Sequence, residues 1–101
     1  MGRVVHCKKE KYDVYIGRPG PWGNPFSFQK DTVARWKVAS RSESIEKYRT
    51  WLWQEIKEER IDLAELASLS DKTLGCWCAP KECHGDVLLR AAAWAQEKLN
   101  Q

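Results

Sequence analysis

Thr73-Leu74-Gly75-Cys76-Trp77-Cys78-Ala79-Pro80-Lys81-Glu82-Cys83-His84-Gly85-Asp86-Val87-Leu88 is the stretch that decides how this chain folds. Its first six residues carry no charge, and a short uncharged run of this kind reads as a central strand, covered on both faces as in a parallel sheet. Gly75 within it lets another group approach the backbone closely. Pro80 has no N–H to give and stops the strand. After Cys83 or His84 the period changes: Val87, Leu88, Ala91, Ala95 and Leu99 share one face, which predicts a helix running to Asn100. Asp86 falls in its first turn, where a carboxylate complements the positive helix end.

Upstream of this corner, Ile45, Tyr48, Leu52 and Ile56 recur at three- and four-residue intervals, so residues 42–59 form an amphipathic helix, with Trp51 and Trp53 widening its buried face. Asp62 is placed to cap a short second helix over Ile61 to Leu69, with Leu63 and Leu66 inward. Arg3 to Lys8 and Asp13 to Ile16 read as extended pieces. The Gly- and Pro-rich segment from Gly17 to Pro25 is a shaped loop. Asp31 to Trp36 suits either a short helix or a surface loop. Strand, two helices, strand, helix is the order of a parallel crossover, so the expected fold is a single α/β domain over residues 1–101: small, layered and Rossmann-like, with a short, mostly parallel sheet and about three helices.

A chain of 101 residues has a shallow core, which six Trp, three Tyr and two Phe help to fill. Seventeen basic against fourteen acidic residues give a net charge of +3, too weak for a dedicated duplex-DNA binder, though a local anion pocket fits within it. No apolar run approaches the roughly 18 residues that span a bilayer, and the N-terminus has no signal-peptide core, so a cytoplasmic protein with no membrane partner is expected. Its oligomeric state is left open, homo-oligomerisation included. Four cysteines in that compartment are thiols available for metal, nucleophilic chemistry or packing.

The strand-to-helix corner is the strongest candidate site, because ligands in α/β proteins gather at the carboxyl ends of strands and helix N–H groups point outward there. Cys83, His84 and Gly85 supply such groups, Lys81 and Arg18 supply positive charge, and Gly85 admits an anion close to the backbone. In the first loop, Gly17-Arg18-Pro19-Gly20 fixes one arginine for bidentate contact to phosphate. Trp22 and Phe26 bracket Gly23-Asn24-Pro25, where a base can stack on a ring with Asn24 reading its edge. The plainer alternative is that both rings pin the loop to the core. If there is turnover, His84 with Asp86 is the only acid–base pair beside the proposed anion site.

Zinc is the rival. Cys76, Cys78, Cys83 and His84 offer four tetrahedral donors within nine residues, but Cys-x-Cys and adjacent Cys-His depart from familiar spacings, so the expectation is a protein without metal or other cofactor. A nucleophilic Cys83, activated by the helix start and His84, is a third reading with no evident orienting residue.

Val4-Val5-His6-Cys7, Tyr15-Ile16-Gly17-Arg18-Pro19, Trp22-Gly23-Asn24-Pro25-Phe26 and Leu74-Gly75-Cys76-Trp77-Cys78-Ala79-Pro80, continuing to Cys83-His84-Gly85-Asp86-Val87-Leu88, together resemble domain of unknown function family 4326, found in phages and bacteria. The likeness covers nearly the whole chain, with residues 28–42 longer than the family usually carries. A weaker likeness links the Cys-aromatic and Cys-His elements to domain of unknown function family 488. There the middle cysteine is typically Glu, which implies a ligand corner on a Rossmann-like sheet and argues against zinc. Neither resemblance supplies an activity. The expected function is therefore argued from the site: binding of a small phosphate-bearing nucleotide or nucleotide-sugar, as a sequestering binder, such as a phage protein holding a host signalling nucleotide, or as a glycosidic or phosphoester hydrolase. The alternative is a zinc-stabilised adaptor that binds a protein partner without catalysis.

Overall fold

A computed structural model describes residues 2–17, 22–27, 36–37, 40–77, 81 and 83–100, with backbone alone at 26–27 and 36–37. In chain order its elements are β1 (Arg3–His6), β2 (Val14–Tyr15), β3 (Phe26–Ser27), β4 (Trp36–Lys37), α1 (Arg41–Lys57), α2 (Leu63–Ala67), β5 (Thr73–Cys76) and α3 (His84–Leu99). The expected mixed α/β architecture is present, with three helices, a three-stranded parallel sheet in the order β1-β5-β2 and a separate parallel pair β3-β4 among the described residues. Most of the Asp31 to Trp36 stretch lies outside the described residues. No helix among them is long and apolar enough to cross a membrane.

β5 is uncharged and central, hydrogen-bonded on both sides, with Val5 and Tyr15 both lying opposite Gly75. β1 and β2 flank it in parallel, so the link between them cannot be a hairpin and must return to the start of the sheet. It turns on the His6 carbonyl, which accepts from Lys9 N–H and Glu10 N–H at 3.0 and 3.1 Å. It then lays the Tyr12 ring over Gly75, where an added Cβ would stand 2.5 Å from Tyr12 Cγ. The close approach that Gly75 permits is therefore that of an aromatic ring. Asp13 seats the next strand by a reciprocal pair: its N–H donates to the Thr73 carbonyl at 2.7 Å and its carboxylate accepts from Thr73 N–H at 2.8 Å.

Ser40 caps α1 by accepting from Glu43 N–H at 3.2 Å, and Asp62 caps α2 by accepting from Ala64 N–H at 2.9 Å. The expected stripe of α1 faces inward, with Tyr48 and Leu52 fully buried and Ile45, Trp51, Trp53 and Ile56 packed against the core at its margin. On α3, Leu88, Ala91, Ala92 and Ala95 are all fully buried, and their mostly small side chains let α2 and its Leu66 pack closely. Leu99, expected on the same buried face, is 48% exposed, because the last turn of α3 runs past the core.

Gly75→Ala is expected to destabilise the fold by about 1–3 kcal/mol in urea denaturation, since the new methyl group overlaps the Tyr12 ring. Adding Tyr12→Ala to Gly75→Ala should recover part of that loss, a non-additivity that two independent sites do not show.

Candidate functional site

β5 ends at Cys76, and the chain comes back to begin α3 at Cys83, whose extended backbone (φ −145°, ψ 150°) makes it the N-cap of that helix. Its sulfur takes the place usually filled by a hydroxyl or carboxylate oxygen and accepts from Gly85 N–H at 3.4 Å. The bend between extended Cys83 and helical His84 turns the two adjacent side chains toward one another, Cys83 Sγ lying 3.6 Å from His84 Nδ1. His84 Nε2 lies 2.7 Å from the Ile16 carbonyl oxygen. A carbonyl only accepts, so in the neutral imidazole Nε2 carries the proton and Nδ1 presents its lone pair to the thiol. Cys76 Sγ is 2.6 Å from Cys83 Sγ, and the donor atoms of Cys76, Cys83 and His84 all lie within 4.8 Å of one another.

The loop after β2 is fastened to this corner and to α1 at three points. Ile16 holds His84, as above. The Trp22 carbonyl accepts from the Tyr48 hydroxyl at 3.1 Å, and the Tyr48 ring stands edge-on to His84 with centroids 4.9 Å apart. Asn24 donates its amide to Ser44 Oγ at 2.8 Å and to the Ser44 carbonyl at 3.4 Å. Burial, with nearby Cys83 as a lesser cause, pushes the Tyr48 hydroxyl far above the usual phenol range, so it remains a donor to Trp22.

These contacts bring Gly17, Trp22, Asn24, Cys83, His84 and Gly85 into one region, as a loop facing the corner requires. They also give several of those residues structural work. Trp22 is 8% exposed and belongs to the core, while the Asn24 amide is committed to Ser44. A Cβ on Gly17 would run into the Tyr15 ring. One on Gly85 would meet Val4 Cγ2 at 2.7 Å and Ile16 Cδ1 at 2.8 Å, so the space that glycine leaves admits β1 and the Ile16 side chain against α3. Lys81 is exposed. Arg18 and Cys78 lie outside the described residues, as does the side chain of Phe26. Both ring nitrogens of His84 are turned to Ile16 and Cys83, and Asp86 is exposed at the surface of α3.

A groove of about 270 Å³ opens beside the corner, lined by Ser42, Ile45, Glu46 and Arg49 of α1 and by Cys83, Asp86, Val87 and Arg90 of α3. The two sets have the same spacing along their helices. Trp53 and Trp94 meet edge to face at 4.9 Å farther along the same seam, which fixes the helices as running in the same direction. Both positive helix ends therefore lie at the Ser42–Cys83 end of the groove. Arg49 and Arg90 stand about two turns in, and neither forms an ion pair among the described residues. The sequence reading singled out neither arginine. What it lacked was the knowledge that α1 and α3 lie side by side; the seven-residue offsets 42–49 and 83–90 were the available signal.

The family model for a domain of unknown function, DUF4326, matches residues 3–94. The chain belongs to the DUF4326 family. Among its relatives is the "Uncharacterized 12.4 kDa protein in nrdA-td intergenic region" of Enterobacteria phage T4, 38% identical over 86 residues that make up 85% of this chain and 72% of the phage protein. No solved structure matches the chain. The DUF4326 match spans both the loop after β2 and the Cys76–His84 corner, the two parts that the structure joins.

Tyr48→Phe is expected to cost about 1–2 kcal/mol in chemical denaturation, because it removes the donor to a buried carbonyl while keeping the ring against His84. A loop held by that bond should also become more susceptible to limited proteolysis near Trp22.

Proposed function

We propose that this DUF4326 protein binds a small phosphate-bearing ligand of the nucleotide type, with the phosphate in the groove between α1 and α3. The observation that carries the reading is the pair Arg49 and Arg90, at matching positions on co-directional helices, neither in an ion pair among the described residues, facing one groove at the positive ends of both helices. Glu46 and Asp86 line the same groove, so it is not a purely cationic surface. Arginines donate to phosphate oxygens and carboxylates accept from sugar hydroxyls, a combination that favours a sugar phosphate over the bare anion. A volume of about 270 Å³ is at the small end for ligand pockets, which suits a mononucleotide better than a dinucleotide cofactor. Arg18, outside the described residues, and exposed Lys81 add positive charge to the sequence.

The supported form is a sequestering binder. For His84 to act as general acid or base a ring nitrogen must face substrate, and both of its nitrogens are directed at Ile16 and Cys83. The reading places the protein in the cytoplasm, where cysteines are kept reduced.

Titration calorimetry against mononucleotides, nucleotide sugars and inorganic phosphate tests the reading. Arg49→Ala and Arg90→Ala should each weaken mononucleotide binding by about 1.5–3 kcal/mol, the range for hydrogen bonds to charged groups, and leave the melting temperature within about a degree because neither side chain is in an ion pair among the described residues. Nucleotide recovered unchanged after incubation supports sequestration, whereas product formation argues for a hydrolase. No binding at high micromolar mononucleotide overturns the proposal.

A further inference from the structure

Cys76, Cys83 and His84 converge more tightly than a fold needs for packing. We infer that these three side chains form a zinc site, independent of the groove reading above. The donors are two thiols and an imidazole, a soft set that selects zinc over magnesium or calcium. All three are buried, at 2%, 3% and 6% exposure, with their donor atoms gathered within 4.8 Å.

The orientation of His84 is the second, independent observation. Its Nε2–H is held by the Ile16 carbonyl at 2.7 Å, which turns Nδ1 toward Cys83 Sγ. A metal-bound histidine is normally steered in this way, by a backbone carbonyl or carboxylate on the nitrogen that does not bind the metal. Cys83 is prepared as well, since Gly85 N–H points at its sulfur and the positive end of α3 stabilises a thiolate there. The backbone answers the objection raised by sequence spacing: adjacent Cys and His reach one point because Cys83 is extended and His84 is helical.

Tetrahedral zinc with bonds of about 2.3 Å to sulfur sets two sulfurs about 3.8 Å apart, so Cys76 and Cys83 open by about 1 Å on loading. Cys83 also lines the groove, which gives the ion an entry path. Three protein ligands among the described residues leave a fourth tetrahedral position for another donor.

The test uses the whole chain, purified under reducing conditions without chelator or added metal. Elemental analysis should find about one zinc per chain, and cobalt(II) exchanged into the protein should show thiolate-to-cobalt charge-transfer absorption. Cys76→Ser, Cys83→Ser and His84→Ala should each lose at least tenfold in zinc affinity, while Cys7→Ser, outside the cluster, should retain full stoichiometry. If the cysteine variants fail to fold, wild-type protein still decides: zinc should protect Cys76 and Cys83 from alkylation, and chelation should expose them. Zinc below about a tenth of an equivalent with no charge-transfer band, or a Cys76–Cys83 disulfide in the purified protein, overturns the inference. Mononucleotide titration of chelated protein reads the Arg49 and Arg90 groove separately, so failure of one proposal is distinguishable from failure of the other.

Discussion

Ile16 is the hinge on which the arrangement depends. Its N–H donates to the Gly75 carbonyl at 2.9 Å and continues the β2 ladder, while its carbonyl receives His84 Nε2 and so ties the sheet to the first turn of α3. The residue is fully buried, so neither group has water as a substitute partner and both bonds are costly to leave unmade. Through this clamp the loop after β2 is held over the helix start. The imidazole, in turn, is fixed against Tyr48 and the two sulfurs.

That clamp makes sense of residues whose roles differ from first appearance. A tryptophan and an asparagine in a Gly- and Pro-rich loop suggest a base-stacking wall, yet Trp22 fills the core and Asn24 is tied to Ser44. Their contacts are structural: the Asn24 amide and the Trp22 carbonyl fasten the loop to Ser44 and Tyr48 of α1. Among the described residues, the groove beside the corner is lined by the flanks of the two helices.

Much of the fold was legible in sequence because its signals are local. Strand β5 follows from an uncharged run ended by Pro80, α1 from the spacing of Tyr48 and Leu52, and α2 from the capping carboxylate of Asp62. The parallel sheet followed from element order. Less legible were the features set by tertiary proximity. Gly75 and Gly85 announce close approach without saying of what, and the answers, a tyrosine ring and two aliphatic side chains, come from residues about 60 or more positions away. β3 and β4 are two residues each, too short for alternation to register. Arg49 and Arg90 face one groove only because two helices run in the same direction, a relation that neither helix records in its own pattern.

The corner and its groove draw on residues 16, 22–24, 42–49, 76 and 83–90, which lie far apart along the chain and meet only in the completed fold. An unfolded chain has no equivalent of this enclosure, so whatever fills it acts as a folding partner. By mass action, a ligand present at a hundred times its dissociation constant adds about 2.7 kcal/mol to the stability of the native state, a large fraction for a domain of this size. The abundance of such a protein would then follow the supply of what it holds, since the empty form spends more time open to proteolysis.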